Sequence, residues 1–420
     1  MSHNDNLLKR RQAALPKGLA TAFPVFADKA ENAQVWDVEG NCYLDFVGGI
    51  SVLNTGHSHP KIVKAVTEQV QKFSHTAANI VLYPGYVELA EKLNAAVPGD
   101  TPKKTVFFTT GAEALENAVK ISRAKTGRHA VITFVGGFHG RTLFTLGMTG
   151  KVEPYKKLFG PFPSSIYHVP FPAESLGISE DDSIKALEKL FKADVDPSNV
   201  AAIVIEPVQG EGGFYPVTPN FAKRLRQICD DNGIMLVCDE VQTCFGRTGH
   251  LFATERLGIE PDLITAAKSL AGGYPLSAVI GKADVMDAPL PGGLGGTYAG
   301  NPVAIASALA VYDVIKEEKL LECANEIGEK FTAMLNEAKS AGAKVGDVRI
   351  TGAMIAFDLV DDDGKPDAKA TADLIASCFN KGLLIASCGL YGNSIRVMVP
   401  LTVEAAHLDE ALDIIKKELA

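Results

Sequence analysis

The stretch IMLVCDEVQTCFGRTGHLFATERLGIEPDLITAAKSLAGG, from Ile234 to Gly273, contains two apolar runs that each stop abruptly at a charge. Ile234 to Cys238 ends on Asp239 and Glu240, and Leu263 to Ala267 ends on Lys268, just ahead of Ser-Leu-Ala-Gly-Gly. Both runs read as buried strands. In open α/β sheets ligands sit outside the carboxyl ends of the strands, so the acid and the lysine are expected to face one crevice. A lysine there can form a Schiff base with an aldehyde, because desolvation and neighbouring cations leave its amine nucleophilic. A carboxylate held nearby can keep a pyridine nitrogen protonated and turn its ring into an electron sink. Together the two residues point to a pyridoxal 5'-phosphate site.

Composition sets the frame for that site. At 420 residues the chain has room for about three average domains, although α/β enzymes commonly divide such a length into one large and one small domain. Hydrophobic residues at 46%, charged residues at 22% and 39 glycines describe an ordinary soluble enzyme with many tight turns. A net charge of −9 argues against nucleic acid as a partner, while leaving room for local basic pockets that hold anionic substrates. Seven widely spaced cysteines, mostly within apolar runs, suit reduced thiols. The N-terminal residues are polar and basic without an apolar core, and no stretch approaches the length of a membrane span. A cytoplasmic protein without a membrane partner is the expectation.

Outward from the central stretch, other strand ends carry chemistry. Gln34 to Val38 and Cys42 to Phe46 form a hairpin about Glu39-Gly40-Asn41, leading to Gly48-Gly-Ile-Ser-Val and on to His57 and His59. Those histidines have no third ligand at evident spacing, so no metal site is expected, and turn or capping roles suit them better. Helical spacing marks Pro60 to Phe73 and Val87 to Val97, and Thr105 to Thr109 reads as a strand running into Thr110-Gly-Ala-Glu-Ala-Leu-Glu-Asn-Ala. There the amides of Gly111 and Ala112 open a helix, whose N-terminus attracts an anion such as phosphate. Ala130 to Val135 is a further strand, ending in Gly136-Gly-Phe-His-Gly-Arg-Thr142. Phe138 is placed to stack on a pyridine ring, and the Arg141 guanidinium to clamp a carboxylate. Ala201 to Ile205 ends on Glu206, followed by a glycine-rich loop holding Glu211. The glycines from Pro291 to Pro302, without apolar periodicity, describe a loop shaped closely around something. From Val303 a long helical pattern leads into a smaller α+β region with strands at 352–359, 383–387 and 394–399, the last carrying Arg396.

These motifs, together with the Asp239, Gln242 and Lys268 stretch, resemble the class III, ω-amino-acid branch of the fold-type I pyridoxal-phosphate aminotransferases, from about Trp36 to Thr402. The resemblance implies a mostly parallel seven-stranded sheet in a large domain at 60–305. A smaller α+β domain is expected from 1–59 and 306–420. It assigns Lys268, Asp239 and Glu206 to catalysis, and Gly111, Ala112, Phe138, His139, Asp239, Val241, Gln242, Lys268 and Thr297 to the cofactor. Ile50, Arg141, Glu211 and Arg396 fall to the substrates. Thr297 is implied to reach the cofactor phosphate of a neighbouring subunit, which makes the site a property of a homodimer, or of a dimer of dimers. Many relatives have serine in place of Ala112 and tyrosine in place of Phe138, so two hydroxyl groups are absent here.

The implied reaction is amino transfer from an ω-amino acid, 4-aminobutyrate, to 2-oxoglutarate. Arg141 is expected to hold the distal carboxylate of both, and Arg396 the carboxylate next to the reacting carbon of 2-oxoglutarate. Glu211 neutralises Arg396 when the donor lacks that carboxylate, because an unpaired buried charge costs several kcal/mol. Other donors, 5-aminovalerate, β-alanine, ornithine or acetylornithine, remain open. A nucleotide-binding dehydrogenase fits poorly, since no Gly-Xaa-Gly-Xaa-Xaa-Gly follows a strand and the Gly-Lys pairs at 150, 281 and 364 lack the following Ser or Thr of a P-loop. A non-catalytic binding protein would be expected to have lost Lys268 or an arginine, and none is lost.

Overall fold

A computed structural model describes residues 2–420 of the chain. The chain opens with a helix, His3–Ala14, and three short strands, β1 (Ala27–Glu31), β2 (Gln34–Asp37) and β3 (Cys42–Asp45). The large sheet follows: β4 (Lys103–Phe108), β5 (Ala130–Phe134), β6 (Ile166–Val169), β7 (Val200–Ile205), β8 (Met235–Asp239), β9 (Leu263–Ala266) and β10 (Ser277–Lys282). Five short strands complete the set: β11 (Val345–Thr351), β12 (Met354–Leu359), β13 (Leu383–Leu384), β14 (Ala386–Cys388) and β15 (Ser394–Val397).

The seven strands of the large sheet lie in the order β4-β10-β9-β8-β7-β5-β6. Only β10 runs against its neighbours, pairing antiparallel with both β4 and β9. Alternation along each strand feeds two cores: Leu236 and Cys238 of β8 join one apolar cluster, and Val237 between them joins another on the opposite face. This is why the central strands read as unbroken apolar runs, since helices cover both faces. The crevice therefore forms where those runs end.

Two smaller sheets lie outside it. β11-β12-β15-β14 is antiparallel, and Arg396 lies on its inner strand β15. β1-β2-β3-β13 joins the two ends of the chain, because Leu383 pairs with Leu44 in parallel.

The strands β1, β6, β10 and β11 have no counterpart among the strands expected from sequence. Each lacks an unbroken apolar run: Tyr167-His168 interrupts β6, Gly281 lies within β10, and Asp347 and Arg349 lie within β11. The long helical pattern from Val303 divides into Pro302–Glu317 and Leu320–Ser340, with Lys319 between them at φ +54°.

Arg247 is the largest fully buried side chain. Its guanidinium donates to Ser51 Oγ, Asn54 Oδ1, Ala353 O, Val399 O and Met398 O, tying the segment after β3 to the loops flanking β12 and β15. None of these acceptors is a carboxylate, and burial pushes the arginine pKa down to about 9. Arg247→Ala strands several carbonyl groups in the interior, each costing about 1–3 kcal/mol. A loss of at least 3 kcal/mol, about the cost of two such groups, is expected in denaturant unfolding; a change below about 1 kcal/mol, within the ordinary range for point substitutions, speaks against this role.

Candidate active site

The strand ends converge as the periodicity implied. The crevice is a cavity of about 360 Å³, and its walls include Gly111, Phe138, Glu206, Asp239, Gln242 and Lys268. Ala112, His139 and Val241 line it as well.

At one side the helix Gly111–Thr126 opens the phosphate cradle. Thr110 caps it: Glu113 N donates to Thr110 Oγ1 at 3.2 Å, while Glu113 Oε2 accepts from the amides of Thr109 and Thr110, both at 2.9 Å. The capping box satisfies the donors just outside the helix and leaves the first-turn amides of Gly111 and Ala112 toward the cavity. A Cβ on Gly111 would lie 2.9 Å from Val241 Cγ1, so the packing of the helix start against Val241 needs glycine here.

Asp239 lies deep in the crevice and is held at both oxygens. Its Oδ2 lies 2.7 Å from His139 Nδ1, and its Oδ1 accepts from Val241 N at 3.1 Å and Thr265 Oγ1 at 3.2 Å. Burial pulls the His139 pKa down, but the hydrogen bond to Asp239 and the charges of Asp239 and Glu206 outweigh it and raise the value. The histidine thus fixes the orientation of the acid. Glu206 accepts from Phe138 N at 3.0 Å and Gly210 N at 3.0 Å, joining two loops of the crevice.

Burial, with the Asp239 charge, pushes Glu206 up to about 7, partly offset by His139 and the two backbone amides. A carboxyl whose folded pKa lies above its ordinary 4.5 binds more protons folded than unfolded, so its contribution to stability declines as pH rises from about 4.5 to 7. Glu206→Gln removes that dependence. The melting temperature of the variant minus that of the parent is expected to rise between pH 5 and pH 8; a difference flat with pH contradicts the assignment.

Lys268 follows β9 at φ +48°, in the left-handed region that non-glycine residues seldom occupy. Strain of this kind persists only where the surroundings impose it. Burial lowers the amine pKa and Arg396 adds to the effect, against Glu211, Asp239 and Glu206. The amine is thereby poised toward its neutral, nucleophilic form.

Arg396 and Glu211 do not line the cavity themselves, nor does Arg141; the first two form a buried ion pair through Nη1 and Oε1, close enough for both charges to act on Lys268. Burial opposes both charges, yet each raises the ionised fraction of the other, with Glu211 held below the usual carboxylate range and Arg396 above its own. Glu211 Oε2 accepts from the Tyr155 hydroxyl at 2.9 Å. Arg141 is exposed, and its guanidinium carbon lies 4.8 Å from the Tyr155 ring centroid. Ile50 is 40% exposed with φ +63°, and Thr297 is exposed; neither lines the cavity in this chain.

Sequence reasoning passed over Tyr155 and, in the cavity wall, Tyr274, and named Glu240 at the strand end without a role; its fully buried carboxylate accepts from Ala253 N at 3.0 Å and Thr254 N at 2.6 Å and anchors the next turn. Adjacent acids at a strand end point to opposite sides, and only Asp239 reaches the crevice.

The residues fit pyridoxal phosphate. The buried Gln242 Oε1 has no hydrogen-bond partner, which leaves the amide end for a polar group of a ligand. An anion cradle, a half-buried lysine and a carboxylate backed by histidine surround the same space, the arrangement of a pyridoxal-phosphate-dependent transferase. Residues 17–419 match the family model "Aminotransferase class-III", and the chain belongs to the class III aminotransferases. It is a pyridoxal-phosphate enzyme, as that family is. The chain is 53% identical over 419 residues to the 4-aminobutyrate aminotransferase of Escherichia coli K12, covering 99% of this chain and 98% of the relative. It is 54% identical over 414 residues to the 5-aminovalerate aminotransferase of Pseudomonas aeruginosa, covering 98% and 97%. A transaminase structure from the marine bacterium Virgibacillus superposes with a TM-score of 0.92 at 25% identity, covering 99% and 98% of the two chains.

Proposed function

We propose that the enzyme transfers the amino group of 4-aminobutyrate to 2-oxoglutarate, giving succinate semialdehyde and glutamate in two alternating half-reactions. When bound, pyridoxal phosphate supplies an aldehyde that receives the amine and a ring that draws electrons from the bond being broken. Lys268 carries the proton to and from the reacting carbon, its amine pKa lowered by burial. Asp239, braced by His139, would offer its carboxylate to the ring nitrogen of the bound cofactor, and Phe138 would stack on the ring. Gln242 would hydrogen-bond the ring oxygen, and the Gly111 and Ala112 amides, with Val241 beside them in the cavity wall, would hold the phosphate. Glu206 orders the loops that carry Phe138 and Gly210.

The observation that carries the reading is the buried Glu211–Arg396 pair beside Lys268. A donor with no carboxylate next to its amine leaves Arg396 nothing to bind, and Glu211 neutralises it. 2-Oxoglutarate brings its own carboxylate and displaces Glu211, while Arg141 holds the distal carboxylate of either substrate and Ile50 borders the entrance. The P. aeruginosa relative supports 5-aminovalerate as a second donor, since one methylene changes discrimination by only about 1–3 kcal/mol. Competing 4-aminobutyrate against 5-aminovalerate and comparing kcat/KM tests the assignment. A preference for 4-aminobutyrate is expected, and a preference for the longer donor moves the substrate by one methylene.

The division into 60–305 and a smaller domain from 1–59 and 306–420 belongs to the same proposal, and the pairing of β3 with β13 supports it. So does a homodimer, or a dimer of dimers, in which Thr297 completes the phosphate site of a second copy. In support, Ile80, Leu290 and Tyr298 are 79%, 82% and 67% exposed near or within the Thr297 loop, and Asn79 Nδ2 donates to Leu294 O at 3.4 Å. Among the described residues no helix is long and apolar enough to cross a membrane, in keeping with a cytoplasmic enzyme.

A further inference from the structure

Glu211 must leave Arg396 in one half-reaction and return in the other, so whatever holds its second oxygen sets the balance between the two positions. That oxygen belongs to Tyr155. The Tyr155 hydroxyl donates to Glu211 Oε2 at 2.9 Å, while Arg396 takes Oε1. The ring of the same tyrosine lies 5.0 Å from the Phe138 ring, at 59° between planes, and its face carries the Arg141 guanidinium at 4.8 Å. One side chain therefore touches the aromatic wall of the cofactor site, the arginine assigned to the distal carboxylate, and the glutamate assigned to the switch. Tyr155 comes from an irregular turn, Val152–Lys156, and is 9% exposed.

Backbone contacts show that the rest of Glu211 is fixed independently. Gly389 N donates to Glu211 O at 3.0 Å, and Lys151 Nζ donates to Gly389 O at 2.7 Å. Arg349 Nε donates to Gly213 O at 2.6 Å, and its guanidinium is clamped by Asp358. With the loop backbone tied at both ends, side-chain rotation is the available motion, and Tyr155 is the partner besides Arg396 that holds the carboxylate.

We propose that Tyr155 is a positioning residue that latches Glu211 onto Arg396, and so sets the preference of the enzyme between donors without a carboxylate beside the amine and dicarboxylate acceptors. The inference rests on the reading of Glu211 and Arg396 as the switch. It is independent of donor chain length, since 4-aminobutyrate and 5-aminovalerate both lack that carboxylate.

The test is Tyr155→Phe, which removes the hydroxyl and keeps the ring for Phe138 and Arg141. Each half-reaction of the holoenzyme is followed separately in single turnover, with 4-aminobutyrate, with 5-aminovalerate and with 2-oxoglutarate. A hydrogen bond to a charged group is strong enough for kcat/KM of both donors to fall by about tenfold, with 2-oxoglutarate unchanged or improved. Equilibrium titration with glutarate, an unreactive dicarboxylate that needs Arg396 free, is expected to show tighter binding in the variant. Damage to packing does not produce that gain. Losses that are equal in both half-reactions, absent, or larger for 2-oxoglutarate overturn the proposal, as does weaker glutarate binding.

The same substitution in a Glu211→Ala background separates the two claims. If Tyr155 acts through Glu211, it has no further effect there on the donor-to-acceptor ratio, and a persisting effect overturns the latch. If Glu211→Ala alone leaves the ratio untouched, the switch itself fails, whatever Tyr155 does.

Discussion

Lys268→Ala is expected to abolish turnover and to leave the purified protein without the visible absorbance of lysine-bound cofactor. The side chain is half-buried, desolvation lowers its pKa, and its backbone is held at φ +48°. Among the described residues no other lysine lines the cavity, so no second amine is placed to take over the proton transfer. Positioned proton transfer contributes about 10²–10⁴-fold, and a loss at or beyond the upper end is expected because covalent attachment disappears with it. The cradle at Gly111 and the Asp239–His139 pair remain, so the variant should still bind the cofactor noncovalently. Retention of more than about 1% of parental kcat, the lower edge of that range, contradicts the role.

Glu211→Ala should produce the second largest change, in stability and in specificity together. Removing one partner from a buried ion pair leaves the other charge uncompensated, at a cost of about 3–5 kcal/mol. Arg396 Nε already lacks a hydrogen-bond partner, so the guanidinium has little to fall back on. A drop in melting temperature is expected, largely restored by a dicarboxylate that supplies the missing anion. In turnover, the donor half-reaction should fall further than the acceptor half-reaction, because 2-oxoglutarate neutralises Arg396 and 4-aminobutyrate does not. Equal losses in both halves contradict the switch.

The crevice was legible from the sequence because strands buried on both faces read as apolar runs, and a charge at the end of such a run has few reasons to be there. Asp239, Glu206 and Lys268 stood out on that ground, and Gly111 through its strand–glycine–helix junction. Arg247 did not, since an arginine within Gly-Arg-Thr-Gly resembles an exposed turn; its acceptors on Asn54, Ala353 and Val399 are set by tertiary packing. Tyr155 was hidden for the same reason, its partner Glu211 lying 56 positions away. The direction of β10 was equally invisible, because an antiparallel strand in a parallel sheet has no separate local pattern.

The most direct measurement is a single-turnover cycle on the purified holoenzyme. Excess 4-aminobutyrate is added without keto acid while the visible absorbance of the lysine-bound cofactor is recorded, and 2-oxoglutarate is added afterward. Loss of the band, release of succinate semialdehyde, and return of the band with formation of glutamate are the expected results. A band that persists in 4-aminobutyrate but bleaches in 5-aminovalerate or ornithine contradicts the donor assignment and leaves the chemistry standing. A band that none of these amines bleaches contradicts the amino-transfer reading of the site.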